Sequence, residues 1–91
     1  MPFAATQQPR DVRDYDLDYS EFLPPDDILV DAEVFVEPPT GLSVTFALSH
    51  PRVKVWVQGG ANGDVYKITV VAYTNDGRAK EEELKVRIKD Y

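Results

Sequence analysis

The sequence predicts an all-β sandwich, and three observations carry that prediction. Residues 66–73 and 84–88 alternate apolar and polar side chains, which places Tyr66, Ile68, Val70 and Ala72 on one face and Leu84, Val86 and Ile88 on the facing strand. The turn signal Thr74-Asn75-Asp76-Gly77-Arg78 joins these two runs into a hairpin. Three further alternating runs, over residues 28–36, 42–49 and 52–58, precede it, and no stretch requires a helix.

Residues 1–13 hold Pro2, Thr6, Gln7, Gln8 and Pro9 without a period, so they read as an extended N-terminal arm preceding a single domain over residues 14–91. In Asp14-Tyr15-Asp16-Leu17-Asp18-Tyr19 an acid at every second position alternates with Tyr15, Leu17 and Tyr19, which share one face of a strand. That strand reads either as the first edge of the sandwich or as a docking strand that completes a neighbour's sheet. Pro24-Pro25 removes two backbone donors and marks a loop. The next strand is expected to turn Ile28, Val30, Ala32, Val34 and Val36 inward, leaving Leu29 and Phe35 on the polar face. Glu37-Pro38-Pro39-Thr40-Gly41 is a turn, and the run after it points Leu42, Val44, Phe46 and Leu48 inward.

His50-Pro51 breaks that run. Val53, Val55 and Val57 then alternate inward, which forces Trp56 outward beside Lys54 and Gln58. An outward Trp is either covered by cationic side-chain stems or offered to another molecule. The loop at residues 59–64 has three glycines suited to sharp turns, but it carries no lysine and links two strands, so it is not a phosphate loop. Gly63-Asp64-Val65-Tyr66 has the form of a tyrosine corner, in which the phenol hydroxyl reaches backbone near the start of its strand. Residues 78–84 favour helix by propensity, yet the period-two run that follows argues for a strand from about Lys80 with Glu81, Glu83, Lys85, Arg87 and Lys89 outward.

Composition narrows the function. Ninety-one residues suffice for one core, and a core this small gains from burial against a partner. Sixteen acidic against ten basic residues give a net charge of −6, which disfavours nucleic acid and anionic membranes as partners. No apolar run approaches the ~18 residues of a spanning helix, and the N-terminus lacks the pattern of an export signal. The absence of cysteine excludes disulfides and thiolate chemistry and is in keeping with synthesis in a reducing cytoplasm. His50 is the only histidine, so no two-histidine metal site or nucleophile–histidine pair can be built. Asn62 and Asp64 fall short of a calcium loop's ligand spacing. No catalytic residue, metal site or cofactor site is therefore expected.

A series of short segments carries a resemblance. These are Asp16-Leu17-Asp18-Tyr19-Ser20-Glu21-Phe22-Leu23, Asp27-Ile28-Leu29, Glu37-Pro38-Pro39-Thr40-Gly41-Leu42, Val55-Trp56-Val57-Gln58-Gly59-Gly60, and Tyr66-Lys67-Ile68-Thr69 with Asp76-Gly77-Arg78. In this order, over roughly residues 14–90, the chain resembles the small immunoglobulin-like virion proteins of tailed bacteriophages known as fiber-tail adaptors. Those relatives commonly carry a Trp in the first strand, where this chain has Tyr19 or Phe22. The resemblance implies an immunoglobulin-like β-sandwich of about seven strands. It also implies a non-enzymatic virion protein, made in the host cytoplasm and present in several symmetric copies. Such a protein would link fibres or tail components to the virion and contact neck, portal, tail or fibre proteins. Tyr15, Leu17, Tyr19, Phe35 and Trp56 are the candidate contacts. A second class of function is a carbohydrate- or calcium-binding module of a larger surface protein or enzyme, using the loop at residues 59–64 or an exposed aromatic.

Overall fold

The computed structural model describes residues 3–90, which form seven strands and no helix. These are β1 (Phe3–Gln7), β2 (Val12–Asp18), β3 (Leu29–Glu37), β4 (Leu42–Ser49), β5 (Arg52–Gly59), β6 (Val65–Thr74) and β7 (Ala79–Ile88). They make two sheets, one ordered β1-β7-β6-β3 and the other β2-β5-β4. All pairings are antiparallel except β1 with β7. The expected β-sandwich is therefore the observed fold.

The core follows the alternation of the central strands. Val53, Val55 and Val57 of β5 are fully buried, as are Ile68, Val70 and Ala72 of β6 and Leu84, Val86 and Ile88 of β7. Each strand sits inside its sheet, so one face meets the opposite sheet and the other meets solvent. β7 remains extended through Lys80 and the three glutamates because β6 supplies a ladder partner at each position from Ala79 to Arg87. Local helix preference yields to that pairing.

Three segments differ from expectation. The arm is a strand over Phe3–Gln7, running parallel to β7 with Ala5 opposite Val86 and Gln7 opposite Ile88. A buried side chain bonds it to the opposite sheet. Gln7 is 1% exposed; its Nε2 donates to the Val57 carbonyl at 3.3 Å and the Asp11 carbonyl at 3.4 Å, and its Oε1 accepts from the Tyr15 hydroxyl at 2.7 Å. Because a buried amide is stable only with its bonds made, this triad fixes the crossing from one sheet to the other through the turn at residues 8–11. The expected domain boundary at residue 14 accordingly falls inside β2.

The second difference is a register shift in β3, where Leu29 pairs with Thr74 but Asp31 pairs with Tyr73. One extra residue on β3 inverts the facing of everything before it. Leu29 is buried at 6% exposure, and Ile28 and Val30, expected inside, are exposed at 49% and 47%. Beyond the bulge Ala32 is buried and Val34 and Val36 are half-buried, as the alternation predicts. The third difference concerns β4, whose inward residues Phe46 and Leu48 remain 39% and 38% exposed. β4 is the edge of the three-stranded sheet and β3 the edge of the other, and the two run close to one another on that side without a ladder between them.

Two loops are held by specific polar contacts. The Tyr66 hydroxyl donates to Asp64 Oδ2 at 3.2 Å and also meets the Ala61 backbone. Its ring lies against the loops at residues 38–41 and 59–64, which are joined by a 2.7 Å bond from the Gly60 amide to the Gly41 carbonyl. Gly60 has φ +91°, and a Cβ there would stand 2.6 Å from Ile88 Cγ1, so only glycine fits between the corner and the end of β7. At the other end of the sandwich Asp27, 1% exposed, ties the Pro24-Pro25 loop to the β6–β7 turn. Its Oδ1 accepts from the Ile28 and Asp76 amides at 3.0 and 3.1 Å, and its Oδ2 accepts from Arg78 at 2.9 Å.

Candidate protein-docking surface

Of the five expected contact residues, two are buried within the sandwich. Leu17 and Tyr19 sit in the chain's own core at 6% and 2% exposure. The Tyr19 hydroxyl crosses between the sheets to donate to the Val70 carbonyl at 3.1 Å, and burial pushes its phenol well above the usual range. Tyr15 is half-buried, packs against the core and bonds Gln7. Alternation is the same for a strand that fills its own sandwich and for one that fills a neighbour's, which is why the sequence left both readings open. The partner that decides between them, β5, lies some forty residues away in register with all of β2.

Phe35 and Trp56 do face solvent, at 52% and 42% exposure. They stand on opposite outer faces, Phe35 in the row Phe35–Thr69–Glu83 of the four-stranded sheet and Trp56 in the row Asp14–Trp56–Thr45 of the three-stranded one. The two surroundings differ. Next to Phe35, Glu33 accepts a hydrogen bond from the Tyr73 hydroxyl, and Lys67 pairs with Glu83 at 3.1 Å. On the other face Lys54 Nζ lies 6.0 Å from the centre of the Trp56 ring and is held by Asp14 at 2.8 Å and Asp16 at 3.3 Å. The hydrogen bond with Asp14 holds the Lys54 ammonium above its ordinary value and the Asp14 carboxyl below its own, so both stay charged at neutral pH. Lysine therefore stands over the indole at a distance, and the ring stays 42% exposed. On the β4 side the outward residues Ser43, Thr45, Ala47 and Ser49 are small and uncharged, so nothing there rises over the ring. The result is a flat apolar and hydroxyl-bearing strip beside an exposed aromatic, flanked by a row of aspartates, and it suits contact with protein better than a reaction.

The loop at residues 59–64 spends its polar groups internally. Asp64 bonds Tyr66, Asn62 Oδ1 accepts from the Asp90 amide at 2.9 Å, and the Gly63 amide donates to the Ile88 carbonyl at 2.8 Å. His50 Nδ1 accepts from the Leu29 amide at 3.1 Å, a structural bond that closes the gap between the start of β3 and the end of β4. Among the described residues no group of three or more His, Cys, Asp or Glu side chains is placed to hold a metal ion. Among the described residues no helix is long and apolar enough to cross a membrane.

A comparison with protein families matches residues 7–87 to the podophage GP4 fiber-tail adaptor protein gp77 family. The chain belongs to that family. It is thus a phage structural adaptor of the virion, of a family whose members work by contacting other tail and fibre proteins. No match is found among curated proteins. For this adaptor the matched span runs from the buried Gln7 to the outward Arg87, so it takes in strands of both sheets together with Phe35 and Trp56.

Proposed function

We propose that the adaptor bridges two neighbours in the phage neck or tail, one on each outer face of the sandwich, and so links fibres or other tail components to the particle. The observation that carries this reading is the placement of Phe35 and Trp56 on opposite faces of one rigid two-sheet body. Large aromatics are enriched among residues that dominate binding energy, and two such anchors separated by a packed core can hold two partners without competition. The host cytoplasm is the place of synthesis in this reading, and the finished particle is the place of action, with several copies around the tail axis.

The test is a pair of alanine variants assayed against the tail and fibre proteins of the same phage. Trp56→Ala should lose one partner and keep the other, and Phe35→Ala should do the reverse, each by ~30-fold or more in Kd with an unchanged melting temperature. Retention of both partners by both variants would remove the two-faced bridge.

A further inference from the structure

Of the four strand edges that border the two sheets, β4 alone is long and without charge. β2 carries Arg13, Asp14, Asp16 and Asp18; β3 carries Asp31, Glu33 and Glu37 and is bent by its register shift; β1 has five residues. β4 has eight, Leu42-Ser43-Val44-Thr45-Phe46-Ala47-Leu48-Ser49, with a regular register to β5 at every one and no hydrogen-bonded strand on its other edge among the described residues. Sheet proteins ordinarily guard such an edge with lysine, proline, a bulge or shortness, because an unguarded one templates pairing with another chain. Here the guards are present on the other edges and missing on this one. The same strand holds Phe46 and Leu48, whose inward side chains are more than a third exposed.

We infer that β4 pairs antiparallel with β4 of a second copy about a two-fold axis, joining two three-stranded sheets into one of six strands. Charge and pattern select a second copy as the occupant. The protein carries a net charge of −6, so copies repel wherever their carboxylates meet, and β4 is the long edge at which none do. Two-fold pairing keeps each side chain on its own face only if the paired residue numbers share parity. A register centred on Thr45 meets this condition and sets Leu42 against Leu48 of the second copy and Val44 against its Phe46. All four inward apolar residues of each β4 then find an apolar neighbour. The outer face gains as well. Trp56 is in register with Thr45, so the row becomes Trp56–Thr45–Thr45–Trp56 across the axis. The two indoles lie about 14 Å apart, three strand spacings, on one continuous docking face.

The complete absence of cysteine makes the register directly readable. Thr45→Cys places a thiol opposite its own copy, and directly opposed strand residues lie within disulfide reach. Under mild oxidation at protein concentrations on the order of 100 µM, suited to a contact at the small end of interfaces, it should convert predominantly to a reducible dimer. Glu81→Cys, exposed on the outer face of β7, should not. Thr45 is exposed and outward, so charge is tolerated there in the folded monomer, as circular dichroism and melting would verify. Thr45→Lys and Thr45→Glu should each sediment as monomers, and an equal mixture should recover the dimer through an opposite-charge pair. A wild-type chain that stays monomeric throughout this range, cross-linking of Thr45→Cys no faster than Glu81→Cys, or a dimer that survives Thr45→Lys would overturn the inference. Each of these readouts uses the adaptor alone and is separate from any loss of tail partners.

Discussion

Replacing Tyr19 with alanine should remove a large part of the domain's stability. The ring is 2% exposed between the sheets, and its hydroxyl is bonded to the Val70 carbonyl. Removing a buried aromatic costs about 3–5 kcal/mol through lost transfer energy and the cavity left behind. A domain of 91 residues has roughly 5–13 kcal/mol in total, so the loss runs from about a quarter of its stability to nearly all of it. Tyr19→Phe keeps the ring and deletes only the hydroxyl bond, for a loss near 1 kcal/mol. Denaturant titration of the two variants separates a core residue from a docking residue: a docking Tyr19 would leave both midpoints at the wild-type value.

Asp27→Ala should be comparably damaging and should also change how the protein responds to acid. Burial alone would raise this carboxyl, but hydrogen bonds from Thr74, Arg78 and the Asp76 and Ile28 amides outweigh it and hold the group below its ordinary value. The folded form thus binds its proton less tightly than the unfolded form. The stability this contributes is complete above the ordinary aspartate value of about 3.9 and disappears as pH falls through the lowered folded value. The wild-type melting temperature should therefore drop steeply on acidification below about pH 4. In Asp27→Ala it should start lower at neutral pH, because the Asp76 amide and Arg78 lose their acceptor, and then fall less over the same acid range. Parallel pH profiles for the two proteins would show that Asp27 contributes nothing to acid lability.

These two residues also mark where the sequence was legible and where it was not. The inward faces of β5, β6 and β7 could be read directly, because Val53, Ile68 and Leu84 each belong to strict alternations in strands covered on one side only. Trp56 could be placed outside by the valines flanking it. The facing of β3 could not, since a single bulge between Leu29 and Asp31 reverses parity without any glycine or proline to announce it. β1 was hidden for another reason: Ala4, Ala5 and Thr6 carry almost no hydrophobic signal, and its anchoring depends on one glutamine whose partners, Val57 and Tyr15, come from the opposite sheet. Asp27 looked like ordinary loop polarity beside Pro24-Pro25, and only the fold brings Arg78 and the Asp76 amide, about fifty positions away, onto its oxygens. Exposure of Phe46 and Leu48 was likewise invisible, because alternation tells which face a residue occupies and not whether that face is covered.

The docking role proposed for the Trp56 face admits a direct optical test, since this is the sole tryptophan in the chain and intrinsic fluorescence reports that indole alone. Titration of the adaptor with the purified tail or fibre protein it contacts, using a tryptophan-free version of that partner, should shift the emission to the blue and lower the acrylamide quenching constant as the 42% exposed ring is covered. Emission and quenching that stay at their free values through a saturating titration would contradict the account.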